Sequence, residues 1–265
     1  MISQIVNNKA TRLFIILGGF FIANAMIAEF MGVKIFSLEG TLGIKDANIP
    51  IFGGHFSFNL TAGVLLWPVV FIMTDIINEY YGPKGVKFLS YLTIGLITYA
   101  FLMFSGAIQL QPSAFWQSKD FLGQNVPDAN QAYKGVFGQG LWIIIGSMVA
   151  FLVGQVLDVL IFHKIKRLTG ERKIWLRATG STLVSQLIDS FIVLFIAFYV
   201  GPRIQTGQGT PWSFQQLMIT GTGNYIYKFV VALLMTPVIY WVHNWIEKYL
   251  GHDLAREMKT AAMKQ

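Results

Sequence analysis

Three long stretches of this chain, 88–118, 135–157 and 204–227, contain no Asp, Glu, Lys or Arg at all. A soluble domain carries about a quarter charged residues. An apolar stretch of about 20 residues instead matches a hydrocarbon core roughly 30 Å thick. The whole chain agrees with its stretches: 12% of the 265 residues are charged and 54% hydrophobic, and the mean hydropathy is +0.54. The reading is an all-α integral membrane protein. The absence of cysteine removes disulfide scaffolds, thiolate metal sites and cysteine nucleophiles.

Apolar windows between charges predict six transmembrane helices, at about 13–32, 59–80, 88–108, 136–162, 178–200 and 214–242. They form a single transmembrane domain over 1–250, with a short, polar cytoplasmic tail at 251–265 that forms a frayed surface helix. The net charge of +7 reads as orientation before it reads as affinity for nucleic acid, because Lys and Arg gather on the cytoplasmic side. With the amino terminus inside, Lys9, Arg12, Lys84, Lys87, Lys164, Lys166, Arg167, Arg172, Lys173, Arg177, Lys248, Arg256, Lys259 and Lys264 fall on that side. Only Lys34, Lys45, Lys119, Lys134 and Arg203 fall opposite, and Lys228 sits within a span. Both termini are therefore expected in the cytoplasm. A cleaved signal peptide ending near Ala23-Asn24-Ala25 is disfavoured, since apolar residues continue beyond it as Met26, Ile27 and Ala28.

The first two outer loops are long. Lys34 to Leu38 and His55 to Phe58 alternate partly around Gly43, Gly53 and Gly54, a pattern that permits a small hairpin over the membrane. The segment 109–134, with Pro112, Phe115, Trp116, Phe121 and Pro127, suits an interfacial or re-entrant cap.

A charge at the bilayer centre costs about 2.5–3.5 kcal/mol on insertion scales, so intramembrane ionisable groups mark function by default. Asp75, Asn78 and Glu79 share one helix face; Gln155 and Asp158 share another; Ser181, Ser185 and Asp189 form a stripe with Gln186 beside it; Asn224 and Lys228 stand one turn apart. At 1.5 Å per residue, Asp75, Gln155 and Gln186 each lie roughly 12–13 Å from a cytoplasmic flank, with Asp189 and Lys228 deeper. One polar cavity opening toward the cytoplasmic half is the economical reading, with Lys228 neutralising a carboxylate. Pro68 and Pro237, and Gly146, Gly154, Gly221 and Gly223, loosen or thin those helices. Gln155-x-x-Asp158 and Gln186-x-x-Asp189 repeat on consecutive helices and predict two amide–carboxylate pairs facing each other.

Each assignment has a plainer alternative. Asp75 and Glu79 lie near enough to the interface to be hydrated, Asp158 is in range of His163 or Lys164, and Glu29 reads as an outer interfacial anchor. Asp189 and Lys228 can form a structural salt bridge, and Ser181, Thr182 and Ser185 can bond across helices. Tyr80, Tyr81, Trp212, Trp241 and Trp245 occupy belt positions. Tyr225 or Tyr227, beside Lys228, is the candidate for stacking on a planar ligand.

The motifs combine into a family pattern. Thr74-Asp75-Ile76-Ile77-Asn78-Glu79-Tyr80-Tyr81-Gly82-Pro83-Lys84, Gln155 to Phe162 as Q-x-x-D-x-x-x-F, Trp175-Leu176-Arg177 followed by Ser181 to Ser190, and Asn224-Tyr225-Ile226-Tyr227-Lys228 together resemble the vitamin-uptake-type family associated with queuosine precursor transport. The resemblance runs from about 75 to 242. It departs where members carry an arginine early in the fourth helix and this chain has Gln139 and Trp142.

The resemblance implies import of a 7-deazaguanine, such as the 7-cyano or 7-aminomethyl form, across a bacterial cytoplasmic membrane. The polar residues suit a guanine-like edge, which offers N1–H and an amine as donors and O6 as acceptor. The expected binding set is Asp75, Glu79, Gln155, Asp158, Ser185, Gln186, Asp189, Asn224 and Lys228. Asp189 or Asp158 takes the donor edge and Gln186, Gln155 or Asn224 the remaining atoms. Protonation of Asp75 or Glu79 is the expected link to a proton gradient. No catalytic residue, metal or cofactor is called for. The expected partners are a small deazapurine and the lipid bilayer, not nucleic acid; a homodimer and a separate energising module stay open. A binding subunit of an ATP-energised complex is the alternative, because the chain has no Walker motif. An intramembrane enzyme is disfavoured without H-E-x-x-H or G-x-S-x-G.

Overall fold

The computed structural model describes residues 8–117, 128–138, 140–169, 174–204 and 210–265. Lys119, Phe121, Pro127, Gln139, Arg172 and Lys173, used above, lie outside them, as do the side chains of Trp175 and Arg177. The chain is mostly helical. Five described helical stretches are long and apolar enough to cross a membrane: Lys9–Met31, Trp67–Gln109, Ala129–Thr169, Ala178–Ile204 and Phe214–Leu250. Large apolar side chains such as Ile16, Leu102, Leu160 and Leu234 point outward at 60% exposure or more, as expected of a multi-pass protein whose solvent is lipid.

Helix α1 (Lys9–Met31) starts at Asn8, whose side chain accepts from Thr11 N, the usual way to satisfy an orphan amide at a helix start. Its buried stripe of Leu13, Leu17, Phe21, Ala25 and Ala28 joins the core. The loop that follows forms two small ribbons and a short helix. Strand β1 (Ile35–Ser37) leads into α2 (Leu38–Leu42), then β2 (Ile49–Ile51), β3 (Gly54–Phe56) and β4 (Asn59–Thr61). β1 pairs antiparallel with β4, and β2 with β3. The 34–38 segment therefore pairs with 59–61, not with 55–58 as a simple hairpin would have it. The expected second span correspondingly loses its first residues to β4 and a 3-10 turn, Ala62–Leu65.

Helix α3 (Trp67–Gln109) begins with Pro68 in its first turn, where proline is tolerated because that amide has no helical partner. Pro68 thus starts the helix and does not kink it. At Gly82 the backbone takes φ 71, ψ −175, a region open essentially only to glycine. Pro83 then opens a second arm. The arms double back: a Cβ on Gly85 would meet Ile77 Cγ2 at 3.5 Å, although eight residues of straight helix span about 12 Å. Both arms run along α1. Phe14 touches Tyr81 and Phe88 at one end, and Phe30 touches Phe101 and Phe104 at the other.

The interfacial segment holds α4 (Ala114–Gln117) and α5 (Ala129–Phe137), the latter capped by Asp128. α6 (Leu141–Thr169) and α7 (Ile174–Leu194) pack along each other, and α7 continues through a π turn, Phe195–Val200, into α8 (Gly201–Ile204). α9 (Phe214–Leu250) opens with a Ser213/Gln216 capping box and ends at Gly251. The tail is not a frayed surface helix. α10 (His252–Met263) buries Ala255, Lys259 and Ala262 against the Gly82 turn, and Gln265 Oε1 accepts from Lys84 N at 3.4 Å.

Candidate functional site

A partly open cavity lies between the first arm of α3, α7 and α9; its roughly 480 Å³ of empty space includes open solvent. Its walls are apolar or aromatic, from Trp67, Phe71, Ile72 and Met235, and its polar groups are few: Asp75, Thr179, Thr182, Gln186 and Lys228. Asp75 is 1% exposed and Gln186 3%. The Gln186 Nε2 amide has no hydrogen-bond partner among the described residues. A buried donor without a partner is costly, so its occurrence on a residue that lines the cavity is chemically informative.

Of the nine expected binding residues, Asp75, Gln186 and Lys228 line the cavity. Asp158 lies behind it: Ser185 Oγ donates to Asp158 Oδ1 at 3.2 Å, and Thr182 Oγ1 stands between Asp158 Oδ1, at 3.4 Å, and Asp75 Oδ2, at 3.5 Å. Asp158 therefore turns to the α7 hydroxyls and not to His163 or Lys164. Gln155 faces the first arm of α3, where its Oε1 accepts from Thr74 Oγ1 at 3.0 Å. Asp189 pairs with Lys228, each about one-sixth exposed. Asn224, a turn from Lys228, does not line the cavity.

The repeated Gln-x-x-Asp pairs do face one another across antiparallel helices, but unequally. Asp158 meets Ser185, while Asp189 lies beside Gly154, where a Cβ would come 3.8 Å from Asp189 Cβ. Glycine at 154 thus lets α6 approach the Asp189–Lys228 pair.

Three residues change role. Glu79 is not hydrated; it forms a 2.9 Å ion pair with Lys166, the two 0% and 1% exposed. Lys166, counted above as a cytoplasmic flank, is inside the bundle. Its face was legible, because 155, 158, 162 and 166 follow helical spacing on α6, and Gln155, Asp158 and Phe162 are buried with it. Glu29 is not an exposed anchor but is 7% exposed and accepts from Ser147 Oγ on α6. It continues the Phe21–Ala25 stripe of α1 at i+4, a signal present in the sequence.

Tyr80 likewise leaves the interfacial belt: it is 2% exposed and its hydroxyl is bonded to His243 Nδ1 at 3.1 Å. Nearby, His163 Nε2 donates to Asn78 Oδ1 at 2.8 Å. Glu79–Lys166, Tyr80–His243 and Asn78–His163 together tie the end of the first α3 arm to α6 and α9. Trp241 and Trp245 are exposed as expected of belt residues. Neither Tyr225 nor Tyr227 reaches the cavity; Tyr225 packs edge-on to Phe229. The aromatic walls come from Trp67 and Phe71, which sequence reading passed over because they sit in an unbroken apolar run.

The β2–β3 ribbon closes over α9. Phe56 of β3 lies against Gly223, where a Cβ would come 2.0–2.3 Å from the ring, and Gln215 Nε2 donates to Phe52 O at 2.9 Å. Glu39 braces the loop from within: its Oε1 accepts from Phe58 N at 2.8 Å and Ala47 N at 3.3 Å. Burial opposes its charge, but these bonds prevail and hold the carboxyl below its ordinary value of 4.5.

Residues 61–242 match the family described as "Putative vitamin uptake transporter". The chain is 31% identical over 187 residues to a Bacillus subtilis protein named "Probable queuosine precursor transporter", covering 70% of this chain and 72% of that one. A Haemophilus influenzae protein of the same name is 25% identical over 243 residues, covering 91% and 90%. The Escherichia coli "Queuosine precursor transporter" is 27% identical over 150 residues, covering 55% and 58%. No solved structure matches significantly.

Proposed function

The chain belongs to the vitamin uptake transporter family, and on that premise we propose that it imports a 7-deazaguanine queuosine precursor across the bacterial cytoplasmic membrane as a secondary transporter. The relatives' printed names support the substrate class. The observation that carries the reading is the cavity in which the Asp75 carboxylate and the unpartnered Gln186 amide share walls with Trp67 and Phe71.

That set is complementary to a guanine-like base. The Asp75 carboxylate accepts from N1–H and the exocyclic amine, while Gln186 Nε2 donates to O6. A planar bicycle stacks on Trp67 or Phe71, as bases do on aromatic side chains. Lys228 pairs with Asp189, so that neither stands as a lone charge in the bilayer. This assigns the donor edge to Asp75, in place of Asp189 or Asp158. Glu79, Gln155, Ser185 and Asn224 then support the helices that carry the contact residues.

In this reading each arm of α3 crosses the membrane, giving six spans with both termini in the cytoplasm. The Gly82 turn and α10 lie on the cytoplasmic face, the ribbons on the outer one. The transmembrane domain takes in 1–250, and 251–265 seals its cytoplasmic end.

Proteoliposomes containing the purified chain should take up radiolabelled 7-cyano- or 7-aminomethyl-7-deazaguanine in competition with unlabelled base. D75N and Q186L should lower affinity by about tenfold or more each, in line with the loss of a buried hydrogen bond to a charged group. Failure of the wild-type chain to bind or move either base would overturn the assignment.

A further inference from the structure

Two of the buried carboxylates beside the cavity share a single hydroxyl. Thr182 Oγ1 on α7 reaches toward Asp75 Oδ2 on α3 and Asp158 Oδ1 on α6 at almost equal distance, 3.5 and 3.4 Å. A hydroxyl has one proton to donate, so it serves one carboxylate as donor while accepting from the other only if that other is protonated. The Asp158 side is reinforced by Ser185, which donates to the same Oδ1. Both carboxyl groups are buried, at 1% and 0% exposure, and two like charges held close together repel.

Among the described residues, the other buried ionisable groups nearby each have a partner of their own. On α3, Glu79 is held by Lys166 of α6. On α7, Asp189 is held by Lys228 of α9. On α1, Glu29 accepts from Ser147. On α6, His163 donates to Asn78, and on α9, His243 bonds to Tyr80. Thr182 Oγ1 is common to Asp75 and Asp158.

We propose that Asp75, Thr182 and Asp158 form one proton-binding unit, and that binding of the base at Asp75 moves the unit's proton to Asp158. This rests on the reading of the cavity as the base site. The donor edge of the base needs Asp75 as an anion, since a protonated carboxyl would oppose donor to donor. The transfer balances within the trio. The Asp75 O–H bond breaks and its proton joins Thr182 Oγ1 as the original Thr182 proton leaves for Asp158 Oδ1. Asp75 ends anionic, Asp158 neutral and Thr182 unchanged, with no net charge moved into the bilayer. The contacts, long before the base binds, shorten as it draws the walls together. The loaded carrier then holds one base and one proton, which makes Asp158 the coupling acid and Thr182 a relay residue, not a mere helix-to-helix tie.

Wild-type protein, D158N, T182V and T182S would be reconstituted with a lumenal pH dye, and labelled base flux and proton flux recorded together. The wild type should bring in a proton with each base. Base flux through D158N should carry no proton. T182V, which keeps both carboxylates, should lose the proton flux too, and T182S, which restores the hydroxyl, should regain it. A purely structural Thr182 would change total flux and leave the proton-to-base ratio alone. Proton movement with each base in D158N, or an unchanged ratio in T182V, would overturn the proposal, and the Thr182 pair decides it should D158N fail to fold. Base accumulation by the wild type without proton movement overturns this inference alone, whereas no base binding at all overturns the transport reading beneath it.

Discussion

Replacing Lys166 with methionine removes the ammonium from the pair with Glu79 while keeping a flexible apolar side chain of similar length in the bundle. The two groups are 2.9 Å apart and 1% or less exposed. At that separation the Coulomb attraction is roughly 6 kcal/mol at an effective dielectric constant of about 20. Much of this offsets the desolvation of both ions in the intact protein, but deleting one partner leaves the other's desolvation uncompensated, and such deletions cost about 3–5 kcal/mol. For a chain of this size each kcal/mol shifts the midpoint by about 2–4 °C, so K166M should unfold on the order of 10 °C below wild type. The pair E79L/K166M, which removes both charges and refills the space, should recover most of the loss. Fluorescence-monitored melting of the purified variants in one detergent reads all three. A K166M midpoint within about 2 °C of wild type, against that expected shift, would refute the claim that this buried pair ties the first α3 arm to α6.

Other outcomes follow from single contacts. W67A should weaken base binding by about 1–3 kcal/mol, the worth of a base–aromatic stack, read as a rise in Kd by isothermal titration, while F229A, whose ring lies outside the cavity, should not. G223A puts a methyl group into the Phe56 ring; the β2–β3 ribbon should lift and its amides exchange faster, and adding F56A should restore a close fit, since overpacking of this kind costs about 1–3 kcal/mol. Glu39 gives the loop between α1 and α3 a pH dependence of known sign. Its folded value lies below its ordinary one, so its contribution is present above about 4.5 and is lost as the pH falls through the lower folded value. Hydrogen exchange at Phe58 and Ala47 should rise over that window in wild type and be fast throughout in E39Q.

The amount of this structure that is legible in the sequence depends on which physical signal marks each part. Long charge-free runs mark the helices, because nothing else tolerates them, and intramembrane acids mark the polar layer, because their cost demands a reason. Signals that look alike from outside mislead. Lys166 resembles a cytoplasmic flank residue, and only its spacing from Gln155, Asp158 and Phe162 shows that it turns inward. Glu29 near the end of α1 resembles an anchor, yet the buried stripe of that helix runs through it. Pro68 within an apolar window resembles a kink, although strand β4 and the 3-10 turn move the helix start to it. Trp67 and Phe71 carry no mark, since an aromatic residue facing a cavity and one facing lipid read identically. The three-way meeting at Thr182 depends on the rotation of three helices, which no periodicity within one helix specifies.

The Gly82 turn bears on how the protein is made. Two apolar arms joined by a Gly-Pro step, with no loop between them, leave the first arm no polar stretch on which to pause once across. On the six-span reading they enter the bilayer together, as one wedge, beside an α1 that is already in place. The helix that closes the bottom of that wedge, α10, is made after every other described helix. The lock on the first polar helix thus arrives only after the other described helices have been made. A chain halted before residue 252 would hold a folded-looking hairpin whose turn still stands open to water.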